Sequence, residues 1–158
     1  MIECYYKEIE NEECDWKGEA SEVPSHLISQ HSICEYTSCK HNKIMLELEF
    51  DENSGFRFLL LTFQKDEKPI PFIFEESMSE NNLISLLLRS PSEEIIRYKM
   101  KIEGKVSSIE YEGNVQKFDG KNIEENQQCL KVHARQMQHF SYISDDGEKR
   151  YKIVLTVL

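Results

Sequence analysis

The chain has 158 residues, 39% of them hydrophobic, and its 29 acidic against 19 basic side chains give a formal net charge of −10. That length accommodates one domain with a small appendage and a real apolar core. The acidity, with no clustered basic face, speaks against binding to a nucleic-acid backbone, and no apolar run reaches the roughly eighteen residues of a membrane-spanning helix.

Taken in chain order, the first chemistry lies between residues 4 and 31. Cys4, Cys14, His26 and His31 occur there, with Trp16 and Gly18 just after the second cysteine. Two thiolates and two imidazoles close a tetrahedral shell around zinc, and the metal lowers the thiol pKa so that both cysteines bind as thiolates. The sequence predicts a helix through Val23, Leu27 and Ile28, capped by Ser21, with Pro24 tolerated in its first turn. The five-residue separation of His26 and His31 turns both imidazoles toward a knuckle carrying Cys4 and Cys14. Nine residues separate those cysteines, whereas such knuckles commonly hold about two to four. Cys34, Cys39 and His41 follow at once, as a substitute ligand or a second partial site. The competing reading has ordinary free thiols and solvated histidines. Four of the five cysteines fall in the first 39 residues beside histidines, which suits a metal site in a reducing compartment better than a disulfide framework.

Residues 32–43 are polar and read as a connector. Ile44, Leu46, Leu48 and Phe50 then alternate with Met45, Glu47 and Glu49, as in a half-buried strand. A turn is expected over 51–55, and 56–63 is almost continuously apolar, as in a central strand covered on both faces. Ile70, Phe72 and Phe74 alternate as another strand, which Pro69 and Pro71 push toward an edge or a bulge. The run 83–88 is strand or helical turn by periodicity, and its neighbours favour strand. Ile96, Tyr98, Met100 and Ile102 alternate cleanly, with Ile109 and Tyr111 as the hairpin partner. After a polar excursion at 119–122, Leu130 and Val132 open a strand, 134–140 forms a short helix or bent loop, and the turn at Asp145-Asp146-Gly147 leads into a last strand over 151–158. Short strands divided by turns, with little helix beyond the zinc motif, predict a mainly β fold: an antiparallel sandwich of about eight strands. The expected division is 1–43 for finger and connector and 44–158 for the sandwich.

Catalytic patterns find little support. There is no GxSxG, no HExxH and no phosphate-cradling glycine loop. Cys129 and His133 are four residues apart on a predicted strand and turn, and partners of a nucleophile pair normally meet through the fold rather than by local spacing. Cys129 reads as a core thiol, and His133 and His139 as surface or loop residues.

The stretch Cys14-Asp15-Trp16-Lys17-Gly18, then Glu22-Val23-Pro24-Ser25-His26-Leu27 and His31, resembles the second zinc finger of the seven in absentia (Siah/Sina) family of ubiquitin ligases. The likeness continues through Gly55-Phe56-Arg57-Phe58-Leu59-Leu60-Leu61, through Arg97-Tyr98-Lys99-Met100-Lys101-Ile102-Glu103-Gly104, through Gln128-Cys129-Leu130-Lys131-Val132 and Phe140, and through the closing Tyr151-Lys152-Ile153-Val154-Leu155-Thr156-Val157. It covers nearly the whole chain. The resemblance implies a TRAF-like β-sandwich that binds substrates, a structural zinc on Cys4, Cys14, His26 and His31, and homo- or heterodimers. It also implies protein partners, among them degron peptides and RING-bearing relatives. The first residues Met1-Ile2-Glu3-Cys4 have neither the basic start nor the apolar core of a signal peptide, so the expected compartment is the cytoplasm, with the nucleus as a second. A RING takes eight ligands on two zinc ions, and the remaining cysteines and histidines have no such spacing. The resemblance thus implies an adaptor without its own RING; a fragment of a complete RING-type ligase and a TRAF-like interaction domain outside the ubiquitin system stand as alternatives. The segment between His31 and Gly55 is shorter than the family's peptide groove implies.

Overall fold

The computed structural model describes residues 1–4, 14–37, 42–50, 56–65, 68–91, 94–117 and 129–158. The turn expected at 51–55, the polar excursion at 119–122, Cys39 and His41 lie outside them. At the N-terminus β1 (Ile2–Glu3) pairs antiparallel with β2 (Lys17–Gly18). A single 3-10 turn (Ala20–Glu22) leads into helix α1 (Val23–His31), and β3 (Glu35–Thr37) follows. Next come β4 (Lys43–Glu49), β5 (Phe56–Lys65), β6 (Lys68–Met78), β7 (Leu83–Ser90), β8 (Arg97–Glu103), β9 (Ser108–Asn114) and the two-residue β10 (Gln116–Lys117). The chain ends with β11 (Leu130–His133), helix α2 (Ala134–Phe140), β12 (Tyr142–Ile143) and β13 (Lys149–Val157).

The long strands form two sheets. One runs β3-β5-β6-β7, and the outer edge of β7 is shared by β11, antiparallel over Leu83–Leu86, and β10, parallel at Arg89 and Ser90. The other runs β4-β13-β8-β9, all antiparallel, with β12 continuing beside the start of β13. Alternation explains their burial: Ile44, Leu46 and Leu48 of β4, Tyr98, Met100 and Ile102 of β8, and Tyr151, Ile153 and Leu155 of β13 all point inward. They meet Leu59, Leu61, Phe63, Phe72, Phe74, Leu86 and Leu88 of the first sheet in one continuous core. The protein is therefore mainly β, with two sheets facing each other across shared apolar side chains.

Several local expectations resolve here. The run 83–88 is a strand, and 134–140 is a helix whose Met137 enters the core. Pro69 and Pro71 sit in the half of β6 that only β5 flanks, because β7 pairs from Ile73 onward. A missing donor is tolerated on that open side. The 32–43 segment is more than a connector, since its residues 35–37 join β5 as a parallel edge strand. Ser21 does not cap α1: it lies inside the 3-10 turn, where the Glu22 carboxylate accepts the Glu19 N–H at 2.8 Å. The helix ends at Ser32 in the left-handed region (φ 52), whose N–H returns to the Leu27 carbonyl.

The outer face of the first sheet explains the nearly continuous apolar run of β5. Leu59, Leu61 and Phe63 face the core between the sheets, while Phe58 and Leu60, with Ile73 of β6, face outward under Val23, Leu27 and Ile33. Each of these buried aliphatic and aromatic side chains contributes roughly 1.5–3 kcal/mol on burial. On this same outward face Glu75 and Arg89 form a buried ion pair, and Arg89 Nη1 donates to the Lys117 carbonyl at 3.1 Å. At one end of the inter-sheet core the Tyr151 hydroxyl donates to Glu76, with Arg57 Nη1 3.7 Å from the same carboxylate. Burial pushes the Glu76 carboxyl up despite Arg57, and it pushes the Tyr151 hydroxyl well above the usual phenol range.

Candidate metal centre

Three separated pieces of sequence bring four side chains together in the N-terminal part of the chain. Cys4 follows β1, Cys14 precedes β2, and His26 and His31 project from α1. The β1–β2 pairing answers the long cysteine spacing. Ile2 lies opposite Gly18 and Glu3 opposite Lys17, and the Cys4 N–H donates to the Trp16 carbonyl at 3.2 Å. Backbone pairing thus brings the first cysteine to the second, where a short knuckle would use a tight turn. On the helix, the five-residue step places His26 and His31 on neighbouring turns, with Nε2 atoms 3.2 Å apart.

The donor distances test what this group can hold. Cys4 Sγ lies 3.3 Å from His31 Nε2, Cys14 Sγ lies 3.5 Å from His26 Nε2, and all four donor atoms fall within 4.8 Å of one another. Bonds of about 2.0–2.1 Å to nitrogen and about 2.3 Å to sulfur, at tetrahedral angles, require N···N edges near 3.3 Å and S···N edges near 3.6 Å. The edges from Cys4 to His31, from Cys14 to His26 and between the two histidines agree to within a few tenths of an ångström. Two sulfurs and two imidazole nitrogens within 4.8 Å of one another are consistent with the four donors of one metal site.

Electrostatics favour the same state. His26 is only 6% exposed, and burial, with the neighbouring His31 second, holds its imidazole below the ordinary range. The neutral ring is the ligating form. Cys4 is 1% exposed, so water has little access to that sulfur.

All four residues singled out from the sequence are brought together; of the proposed substitutes, Cys39 and His41 lie outside the described residues. Cys34 is exposed and sits outside the cluster, while its carbonyl accepts the Leu60 N–H and ties the segment to β5. Cys129 is half-buried, and His133 caps α2 by accepting the Arg135 N–H. Spacing alone did not reveal the role of Trp16. Its ring stacks on His26, with centroids 4.3 Å apart and planes 9° from parallel, while also packing against the apolar cluster beneath α1. Gly18 makes the room. A Cβ there would lie 2.4 Å from Trp16 Cζ2 and 2.9 Å from Cη2, so the Trp-x-Gly pairing has a steric cause legible only once the ring is placed. A scan of protein-family models finds no match for this sequence, and a search of curated proteins finds none either.

Proposed function

We propose that this chain is a zinc-stabilised protein-binding module of the seven in absentia type, whose two facing sheets form a TRAF-like sandwich and whose Cys4, Cys14, His26 and His31 form a structural Cys2His2 finger. The observation that carries this reading is the convergence of two cysteines and two histidines, their donor atoms within 4.8 Å of one another, inside the motif that resembles the family's finger. Cysteine and histidine donors in this number favour zinc over the harder magnesium and calcium ions, which take oxygen ligands. When bound, zinc supplies crosslinking and neutralises two thiolates. With no ligand position open, the role is structural rather than catalytic.

The function proposed for the module is recognition: an adaptor in ubiquitin-dependent degradation that binds protein partners and assembles with itself or with a RING-bearing relative. An edge strand supports this reading. The exposed residues Glu35, Tyr36 and Thr37 of β3 pair with β5 on one side, and an extended peptide can add to the other as a further strand. Native mass spectrometry of the purified chain tests both parts, because zinc count and oligomeric state come from one spectrum. One zinc per chain in a dimer, and mixed dimers with a RING-bearing relative, are expected. A metal-free monomer that remains folded and ignores such relatives refutes the reading.

A further inference from the structure

Trp16 stands at a junction between the metal-ligating group and the sheet. Its carbonyl accepts the Cys4 N–H at 3.2 Å, and its ring lies flat on His26, so one residue fixes a sulfur ligand through the backbone and a nitrogen ligand through the side chain. The same ring packs against the cluster of Val23, Leu27, Phe58, Leu60 and Ile73, which joins α1 to the outer face of β5 and β6. A ring flat against His26 restricts the imidazole's rotation about its side-chain bonds, which keeps Nε2 aimed at His31 and Cys14. The absent side chain of Gly18 lets the ring lie there.

We propose that Trp16 is a positioning residue that couples metal occupancy to the seating of α1 on the outer sheet face. This rests on the metal reading above and extends it to regulation. Any pair of events coupled in this way is coupled in both directions. Seating of α1 holds His26 and His31 in ligating geometry, and loss of the metal loosens α1. The outer face of Phe58, Leu60 and Ile73 is then uncovered, so the finger acts as a metal-dependent cover over an apolar strip.

The test uses the full chain and cobalt(II), whose thiolate absorption bands report the ligands directly. Trp16, the chain's one tryptophan, reports its own surroundings by fluorescence. In wild type, chelation is expected to change the fluorescence and raise binding of a hydrophobic dye. Trp16→Leu, which keeps apolar bulk but removes the ring face, is expected to weaken cobalt binding roughly ten-fold, the scale of supporting-residue losses at metal sites; Trp16→Phe restores most of it. Phe58→Ala changes no ligand and is expected to weaken cobalt binding several-fold, with Phe58→Leu as the milder variant if the alanine protein does not fold. Cobalt affinity within about two-fold of wild type, in either a folded Trp16→Leu protein or a folded Phe58 variant, overturns the coupling. So does an unchanged dye signal on chelation. Failure of the wild-type chain to take up cobalt at all instead refutes the metal centre itself.

Discussion

Leu27 makes a stringent probe, because it belongs to the finger helix but spends its side chain on the sheet. It is 0% exposed, in the cluster formed by Val23, Ile33, Phe58, Leu60 and Ile73. Leu27→Ala removes the equivalent of about three methylene groups, near 2.5 kcal/mol of transfer free energy, and the unfilled space brings the expected loss to about 3 kcal/mol. For a chain of this size that corresponds to a fall in melting temperature of roughly 6–12 °C. The assay is thermal and urea unfolding followed by two probes, far-ultraviolet circular dichroism for the sheets and Trp16 fluorescence for the finger. If α1 is an integral layer over the first sheet, both transitions move together by that amount. A loss under about 1 kcal/mol, or a shift in fluorescence alone, refutes the claim that the finger completes the β5–β6 face.

Three further outcomes are expected. Arg89→Met leaves the Glu75 carboxylate buried without its ion-pair partner and should cost about 3–5 kcal/mol by urea unfolding, whereas the double variant Glu75→Leu/Arg89→Met should recover most of that loss; equal losses in both variants contradict this account. Glu76 has a folded pKa raised above its unfolded value, so the stability it supplies is present below about pH 4.5 and is lost as pH rises through the raised value. Glu76→Gln, which still accepts the Tyr151 hydroxyl, should therefore gain on wild type between pH 4.5 and 7, and parallel stability curves over that range would exclude the burial effect. At the candidate metal group, capture of Cys4 and Cys14 as thiolates would release protons, and His26, with its pKa lowered by burial, keeps its neutral ligating form through the ordinary imidazole range and loses it as pH falls through the lowered value. Cobalt affinity should consequently fall steadily from pH 8 to pH 5.5, and a flat profile would exclude thiolate and imidazole ligation.

The sequence carried the Cys/His group and most of the long strands, for a common reason: both are local patterns. Alternation at 44–50 and 96–102 needs only one buried face, and the choice of four candidate metal donors needs only residue type and rough spacing. What it could not carry depends on pairing between distant segments. The nine-residue gap between Cys4 and Cys14 looks wrong for a knuckle until β1 is seen to pair with β2. The continuous apolar run of β5 announces two covered faces without naming the cover, which is α1. Residues 35–37 are polar and exposed, so nothing in their periodicity reveals a parallel pairing to Leu60, Leu61 and Thr62. Ser21 was the favoured capping residue by type, yet Glu19 and Glu22 occupy the turn because the chain enters α1 through a 3-10 step. Glu75 and Arg89 each sit in an apolar strand, and only the register of β6 against β7 brings them together.

The placement of α1 also bears on what its finger can recognise. A finger helix that reads a groove presents an exposed side lined with basic or hydrogen-bonding residues to it. Here Val23 and Leu27 are committed to the sheet, and His26 and His31 face the sulfurs. The positions left outward are Ser25, Ile28, Ser29 and Gln30, with Glu19 and Glu22 leading in. The nearby cation, Lys17, lies 3.2 Å from Glu3. No basic residue other than histidine stands between Lys17 and Ser32, so the helix offers a phosphate backbone no attraction to offset the chain's negative charge. Its apolar stripe is already matched by Phe58, Leu60 and Ile73, so the helix is committed to covering one face of the sheet rather than to reading a groove.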